Sequence, residues 1–326
     1  MKTTIAVGWI LAAGLGYAQD AAWGGIRKQG EELAAGGRYW EALERFEAAL
    51  REAEKAGSAK AEVAICLNDI AMMNEDLGRY IEAERTYKRA LRAWESIGGG
   101  DWPSAAGTVD NLGELYRKLG RYREAEKMHI RALESLRRTR SPNHPDVAVT
   151  LNGLASVYVS QRKLREAEPL FRRALAIWER TPAANPLEIG RCTNNLGVVL
   201  AALGRRAEAE ALLERAKTVM EKSMGPEHLA VAQPLANLAD LYLRDGRYGE
   251  AEILLHRALS ITERTLGPEH PETGTIIRIY ASLEKRTRHK TEAKELEQRA
   301  QAIFRNSARA NALGYTVDVG ELVSGN

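Results

Sequence analysis

One recurring hexapeptide limits what this chain can fold into. It reads GRYWEA from Gly37, GRYIEA from Gly78 and GRYREA from Gly120, then RKLREA from Arg162, GRRAEA from Gly204, GRYGEA from Gly246 and RHKTEA from Arg288. The first interval is 41 residues and the next five are 42. A fixed period of this size marks a solenoid, in which each unit buries its apolar face only by stacking on its neighbours. An amphipathic run such as Leu112 to Tyr116 precedes the hexapeptide, and a second run ending in Arg-Ala-Leu follows it, at Arg89, Arg131, Arg173 and Arg257. Each unit therefore reads as helix, tight turn, helix.

The residue types suit those places. Glycine after the first helix can take the left-handed conformation that closes it. Arg162 and Arg288 hold that slot without the same freedom, so their turns are expected to be strained or differently wound. Glu82, Glu124 and Glu250 open the second helix, where its dipole favours a carboxylate, and the arginines near its end favour the opposite pole. Ala83/Ala90, Ala125/Ala132, Ala167/Ala174 and Ala251/Ala258 repeat at a spacing of seven and permit close helix approach. Pro103, Pro145 and Pro271 share a register that fits the first turn of the next unit. Gly98 to Gly100, Ser141-Pro142, Gly225-Pro226 and Gly267-Pro268 break the chain between units. In the seventh unit Glu284, Lys290 and Glu297 replace the usual Leu or Tyr, as expected of a polar cap.

Leu112-Gly113-x-x-Tyr116, Ala42 with Phe46, Ala167 with Phe171 and the later alanines resemble the tetratricopeptide repeat. The 42-residue length, Leu235 to Tyr242 and the TERTLGPEHPETG stretch from Thr262 to Gly274 resemble the repeats of kinesin light chains and their bacterial relatives. The resemblance covers roughly residues 23–305. It implies an all-α, right-handed solenoid of about seven repeats, with a concave groove on the first helices that holds extended peptides. Motor attachment is not implied, because the chain has no heptad region.

The amino-terminal segment reads as an address. Lys2, the apolar run Ile5 to Leu15 and the small residues Gly16 and Ala18 form the three parts of a secretory signal peptide. Residues 1–18 are expected to be removed between Ala18 and Gln19, leaving a periplasmic or secreted protein. The run is too short to span a bilayer, which takes roughly 20 apolar residues, so no stable membrane insertion is expected after cleavage. Residues 19–305 form the repeat region and 306–326 a tail expected to be mostly flexible, with Tyr315 to Val319 alternating like a strand.

Composition narrows the chemistry. Of 326 residues, 47 are Lys or Arg and 44 Asp or Glu, a formal net charge of +3, which argues against a nucleic-acid partner. Two cysteines exclude a disulfide scaffold. Cys66 and Cys192 lie 126 residues (192 − 66), or three periods, apart, so they occupy equivalent places and should not pair. His144, His228 and His270 share a register ahead of first helices in separate units, which suits loops and caps better than one metal ion. Trp94 and Trp178 share a slot with Leu136 and Met220 and read as core. No HExxH, GxSxG or Walker string occurs, so neither an enzyme, a metal site nor a cofactor is expected.

What remains is the face of the first helices. Asn68, Asn152 and Asn194 form one line with Asp110 between them, and Asn111, Asn195 and Asn237 form the next. A carboxamide donates and accepts, so such a ladder can hold a peptide backbone whatever its sequence. It can equally tie neighbouring helices together. Asp69, Glu75, Asp76, Asp110 and Glu114 come early on this face and Arg191, Arg244, Arg278, Lys285 and Arg286 late, with Arg117 and Lys118 as an early exception. That order predicts a field gradient favouring a partly acidic segment. A carboxylate clamp in the first unit is not expected, because Arg27 is followed by Glu31. The function expected is an exported scaffold for a protein or peptide partner. The alternative is an assembly module whose groove holds its own tail.

Overall fold

The computed structural model describes residues 22–57, 59–97, 103–181 and 184–310, without the side chains of 103, 104 and 307–310. Ala18, Gln19, the Gly98 to Gly100 connector and the Tyr315 to Val319 stretch lie outside the described residues. Among the described residues there are fourteen helices and no strand. They come in pairs: α1 (Ala22–Ala35) and α2 (Tyr39–Lys55), α3 (Lys60–Asp76) and α4 (Tyr80–Glu95), α5 (Pro103–Lys118) and α6 (Tyr122–Thr139), α7 (Pro145–Ser160) and α8 (Leu164–Arg180). Then follow α9 (Pro186–Ala202) and α10 (Arg206–Met224), α11 (Leu229–Arg244) and α12 (Tyr248–Leu266), α13 (Pro271–Arg286) and α14 (Lys290–Ala310). The last helix continues past Asn306, where the sequence pattern fades.

The chain forms two compact units whose boundary lies within α7, after Val157. In the first, α1 to α6 each pack against the next, and α3 also lies against α5. In the second, α8 to α14 pack in the same order, with α9 against α11 and α11 against α13. The solenoid arrangement read from the period is thus present in each unit.

Every hexapeptide turn has one geometry. The amide of its second residue reaches back five residues, as in Arg121 N to Tyr116 O at 2.8 Å and Arg247 N to Tyr242 O at 2.9 Å. This back-bond requires a left-handed residue just before it, supplied for example by Gly120 at φ 72°. Arg162 (φ 61°) and Arg288 (φ 74°) adopt the same conformation, and Lys163 N still bonds Tyr158 O at 2.8 Å. These turns are therefore not differently wound. They keep the shared geometry at the steric cost a side chain meets there.

The alanine pairs are buried on every second helix where they occur, including Ala83 with Ala90 and Ala251 with Ala258. Trp94, Leu136, Trp178 and Met220 are buried in their shared slot. Each such apolar side chain contributes about 1.5–3 kcal/mol when removed from water. The facing slot on the first helices must stay small. A Cβ on Gly30 would come within 2.7 Å of Phe46, and one on Gly197 within 2.9 Å of Leu213. In the last pair, α14 buries Ala293, Ala300 and Ile303 while Lys290 is exposed and Glu297 half-buried, consistent with a cap.

Candidate functional site

The most repeated residues prove to be structural. The arginine of the hexapeptide caps nothing with its side chain. It pairs instead with the glutamate three residues on, as in Arg121 with Glu124, Arg205 with Glu208 and Arg247 with Glu250. It also reaches the preceding second helix, from Arg121 to Glu84 at 2.8 Å, Arg205 to Glu168 at 2.6 Å and Arg247 to Glu210 at 2.7 Å. Arg121 and Arg247 further stack on Tyr116 and Tyr242, 4.1 and 3.7 Å from the ring centroids. Of the later arginines assigned to the helix dipole, Arg131 and Arg257 join a parallel ladder with Arg215 and Arg299, and among the described residues Arg89 and Arg173 do not. Arg131–Glu95, Arg215–Glu179, Arg257–Glu221 and Arg299–Glu263 all join residues 36 apart.

The histidines work as caps. His144, His228 and His270 each accept, through Nδ1, the amide hydrogen two residues ahead at 3.2 Å. This satisfies one of the open N–H groups at the start of a helix. Cys66 and Cys192 are buried free thiols. Burial pushes the Cys66 thiol up to about 12 and that of Cys192 up as well, which removes the reactive thiolate.

The asparagines divide by unit. In the first, Asn68 and Asn111 are buried, and Asn111 Nδ2 donates to Asn68 Oδ1 at 3.1 Å. Asn68 Nδ2 lies 3.4 Å from Met72 Sδ. Asn152 is half-buried, and its carboxamide oxygen is enclosed without a hydrogen bond. In the second, Asn237 Nδ2 donates to Asn194 Oδ1 at 2.9 Å, and Asn194 Nδ2 donates to Asn195 Oδ1 at 3.4 Å. Asn194 is buried, whereas Asn195 and Asn237 are half-buried on adjacent helices. Both pairs, Asn68–Asn111 and Asn194–Asn237, join successive first helices.

The expected charge gradient is largely neutralised at its acidic end. Asp69 accepts from Arg27 at 2.5 Å, Glu75 from Lys118 at 2.6 Å and Glu114 from Arg117 at 2.7 Å. Arg27 also pairs with Glu31 at 2.8 Å. The partners lie up to 43 residues away, so a reading of charges by register alone could not see them. Burial away from water raises the Glu114 carboxyl, but Arg117 and Lys118 outweigh it and hold the group at about 2. At the basic end, Arg244 binds Asp240 at 2.7 Å and Arg191 lies 3.7 Å from Glu188. Burial raises the carboxyls of Glu188 and Glu272, which Arg191 partly offsets in each case.

One buried polar group was missed at the sequence level. His129 Nδ1 lies 2.7 Å from Asp110 Oδ1, both residues being buried. A usable signal existed: His129 occupies the slot that Phe46, Tyr87, Phe171, Leu213 and Leu255 fill elsewhere. An imidazole in an otherwise apolar slot requires a partner.

The sequence matches the tetratricopeptide repeat over residues 29–96, 103–180, 190–261 and 235–306, and a second profile of the same repeat over 152–222. No curated protein matches it. A solved structure of kinesin light chain type with nearly identical TPR-like repeats, from Podosopora anserina, is 25% identical with TM-score 0.50. That match covers 64% of this chain and 98% of the other. BtubC (BKLC) from P. vanneervenii is 21% identical with TM-score 0.57, over 76% of this chain and 94% of the other. A Rap protein complexed with Competence and Sporulation Factor is 14% identical with TM-score 0.61, over 91% and 90% of the two chains.

Proposed function

Because the chain belongs to the tetratricopeptide-repeat family, we propose that it is an exported scaffold holding an extended peptide or partner segment against its first helices. One observation carries the reading. The buried Asn194 fixes its two neighbours, taking the amide of Asn237 and giving its own to Asn195. Asn195 Nδ2 and Asn237 Oδ1 are thereby left without a hydrogen bond among the described residues, a donor and an acceptor on half-buried side chains of adjacent helices. A peptide backbone offers the complementary acceptor and donor irrespective of its side chains. Arg191 and Arg244 flank this pair and would orient a segment carrying a carboxylate, acting on rate more than on affinity. That a Rap protein of this fold is found with Competence and Sporulation Factor is in keeping with such a role. The function is recognition, not catalysis. Export rests on the leader-like residues 1–18 with cleavage before Gln19.

The test is selection from a displayed random-peptide library on the full chain without residues 1–18. Enriched peptides should lose roughly tenfold in affinity, through faster dissociation, when Asn195→Ala and Asn237→Ala are combined; loss of one hydrogen bond each is worth about that much. Arg191→Glu with Arg244→Glu should slow association instead. Peptides that bind the asparagine variant equally well would remove the site from this face. For export, intact-mass analysis should find Gln19 at the amino terminus of the fractionated protein, and a species retaining residues 1–18 outside the cytoplasm would refute the cleavage.

A further inference from the structure

Four large apolar side chains stand exposed among the described residues, and three lie on the second helices of the first unit. Trp40 is 60% exposed, Ile81 70% and Ile130 39%. Trp40 and Ile81 hold the same hexapeptide slot at the starts of α2 and α4, and the Arg79 guanidinium lies 5.5 Å from the Trp40 ring. Ile130 lies seven residues into the matching face of α6, since its distance from Arg123 is two helical turns. Salt bridges Arg121–Glu84 and Arg131–Glu95 hold α4 and α6 side by side. The three residues therefore belong to one surface.

On α4 and α6 that surface is basic, whereas α2 exposes Glu41, Glu44, Glu47 and Glu54 beside Arg45, Arg51 and Lys55. Arg85, Arg89 and Arg92 are exposed along one side of α4, and Arg123, Lys127 and Arg137 along the corresponding side of α6. None of these six forms an ion pair among the described residues. On α10 and α12, by contrast, the outward Arg215, Arg257 and Arg264 are paired with Glu179, Glu221 and Glu227. A lone exposed aliphatic residue needs no explanation. Three of them set among unpaired cations form the combination that binds an interface, where apolar side chains enter the headgroup boundary and cations meet anionic lipid. Tryptophan is suited to that depth, with one apolar body and one polar edge.

We propose that the outer face of α4 and α6, with Trp40 of α2 at its edge, docks on an anionic lipid surface. This face lies on second helices of the first unit, whereas Asn195 and Asn237 belong to first helices of the second. A soluble polyanion would use the cations but gain nothing from Trp40 and Ile81, and this difference separates the two kinds of partner.

The experiment is sedimentation of the full chain without residues 1–18 with phosphatidylglycerol-containing vesicles, with pure phosphatidylcholine vesicles and with polyglutamate. Binding should be strong to the anionic vesicles at low salt, weak to the neutral ones, and reduced tenfold or more by Arg85→Glu with Lys127→Glu. Trp40→Ser with Ile81→Ser should lower vesicle affinity severalfold and leave any polyglutamate binding unchanged; both sites are exposed, and unchanged circular dichroism would confirm the fold. Absence of binding to anionic vesicles, equal binding to neutral ones, or indifference of vesicle binding to the Trp40/Ile81 change would each overturn the proposal.

Discussion

Two solutions to one packing problem stand close together in the first unit. Between α3 and α5 the first helices are joined by a neutral carboxamide pair, Asn111 to Asn68. One repeat later Asp110 takes the place of Asn68, and the position 43 residues ahead is Gly153, which has no side chain to answer it. His129 comes in from α6 instead and fills the space. A Cβ on Gly153 would sit 2.6 Å from its ring, and one on Gly113 3.1 Å. The carboxamide rung is tolerant, since either partner can turn its amide. The Asp110–His129 pair is not, because a buried carboxyl group with a single partner is orphaned when that partner is lost.

Breaking the comparison should show that difference. His129→Ala leaves Asp110 buried and unpaired beside a new cavity, and should cost about 3–5 kcal/mol in urea unfolding. A loss below that of the asparagine rung would show that the pair is no more demanding than the carboxamides. Asn111→Ala should cost less, about 1–2 kcal/mol, and Asn68→Ala with Asn111→Ala less than the sum of the single changes, because the second removes the orphan left by the first. A double-mutant cycle measures the coupling directly.

The charged contacts also add a pH dependence that the rung lacks. The Glu114 carboxyl is held at about 2, below its ordinary 4.5. A depressed carboxyl contributes stability that is complete above its unfolded value and is lost as pH falls through the folded one. Stability should therefore decline between about pH 4.5 and 2, and Glu114→Gln should flatten that part of the curve measured by denaturant midpoints. The smallest effect concerns the turns. Arg162→Gly should stabilise by about 0.5–1 kcal/mol, since the left-handed conformation costs an arginine more than a glycine. Gly120→Arg should do the reverse, and equal midpoints for both variants would show that the turn carries no strain.

Much of the architecture was legible because it is local. The Gly-Arg-Tyr turn, the prolines that open α5, α7 and α13 and the alanine spacing act within a few residues of themselves. The histidine caps were legible for the same reason. The site was legible only as a set of positions. Register placed Asn68, Asn111, Asn194 and Asn237 on first helices, where the structure has them, yet left open whether their amides face a ligand or each other. In the structure Asn68 and Asn111 are buried against each other, whereas Asn195 and Asn237 are hydrogen-bonded to Asn194 and half-buried.

The sequence by itself determined the period, the helix pairs, the turn and which slots must be small or apolar. These follow from backbone conformation and from side chains three, four and seven residues apart, which meet on one helix face whatever surrounds them. Only the tertiary structure decided the pairing across repeats. Arg121 with Glu84, Lys118 with Glu75 and His129 with Asp110 join residues between 19 and 43 positions apart. A repeat fixes the slot of each of these side chains, but a charge chooses among several neighbours within reach. That choice turns on burial and on which neighbouring slot is empty, and Gly153 is empty only where His129 needs the room.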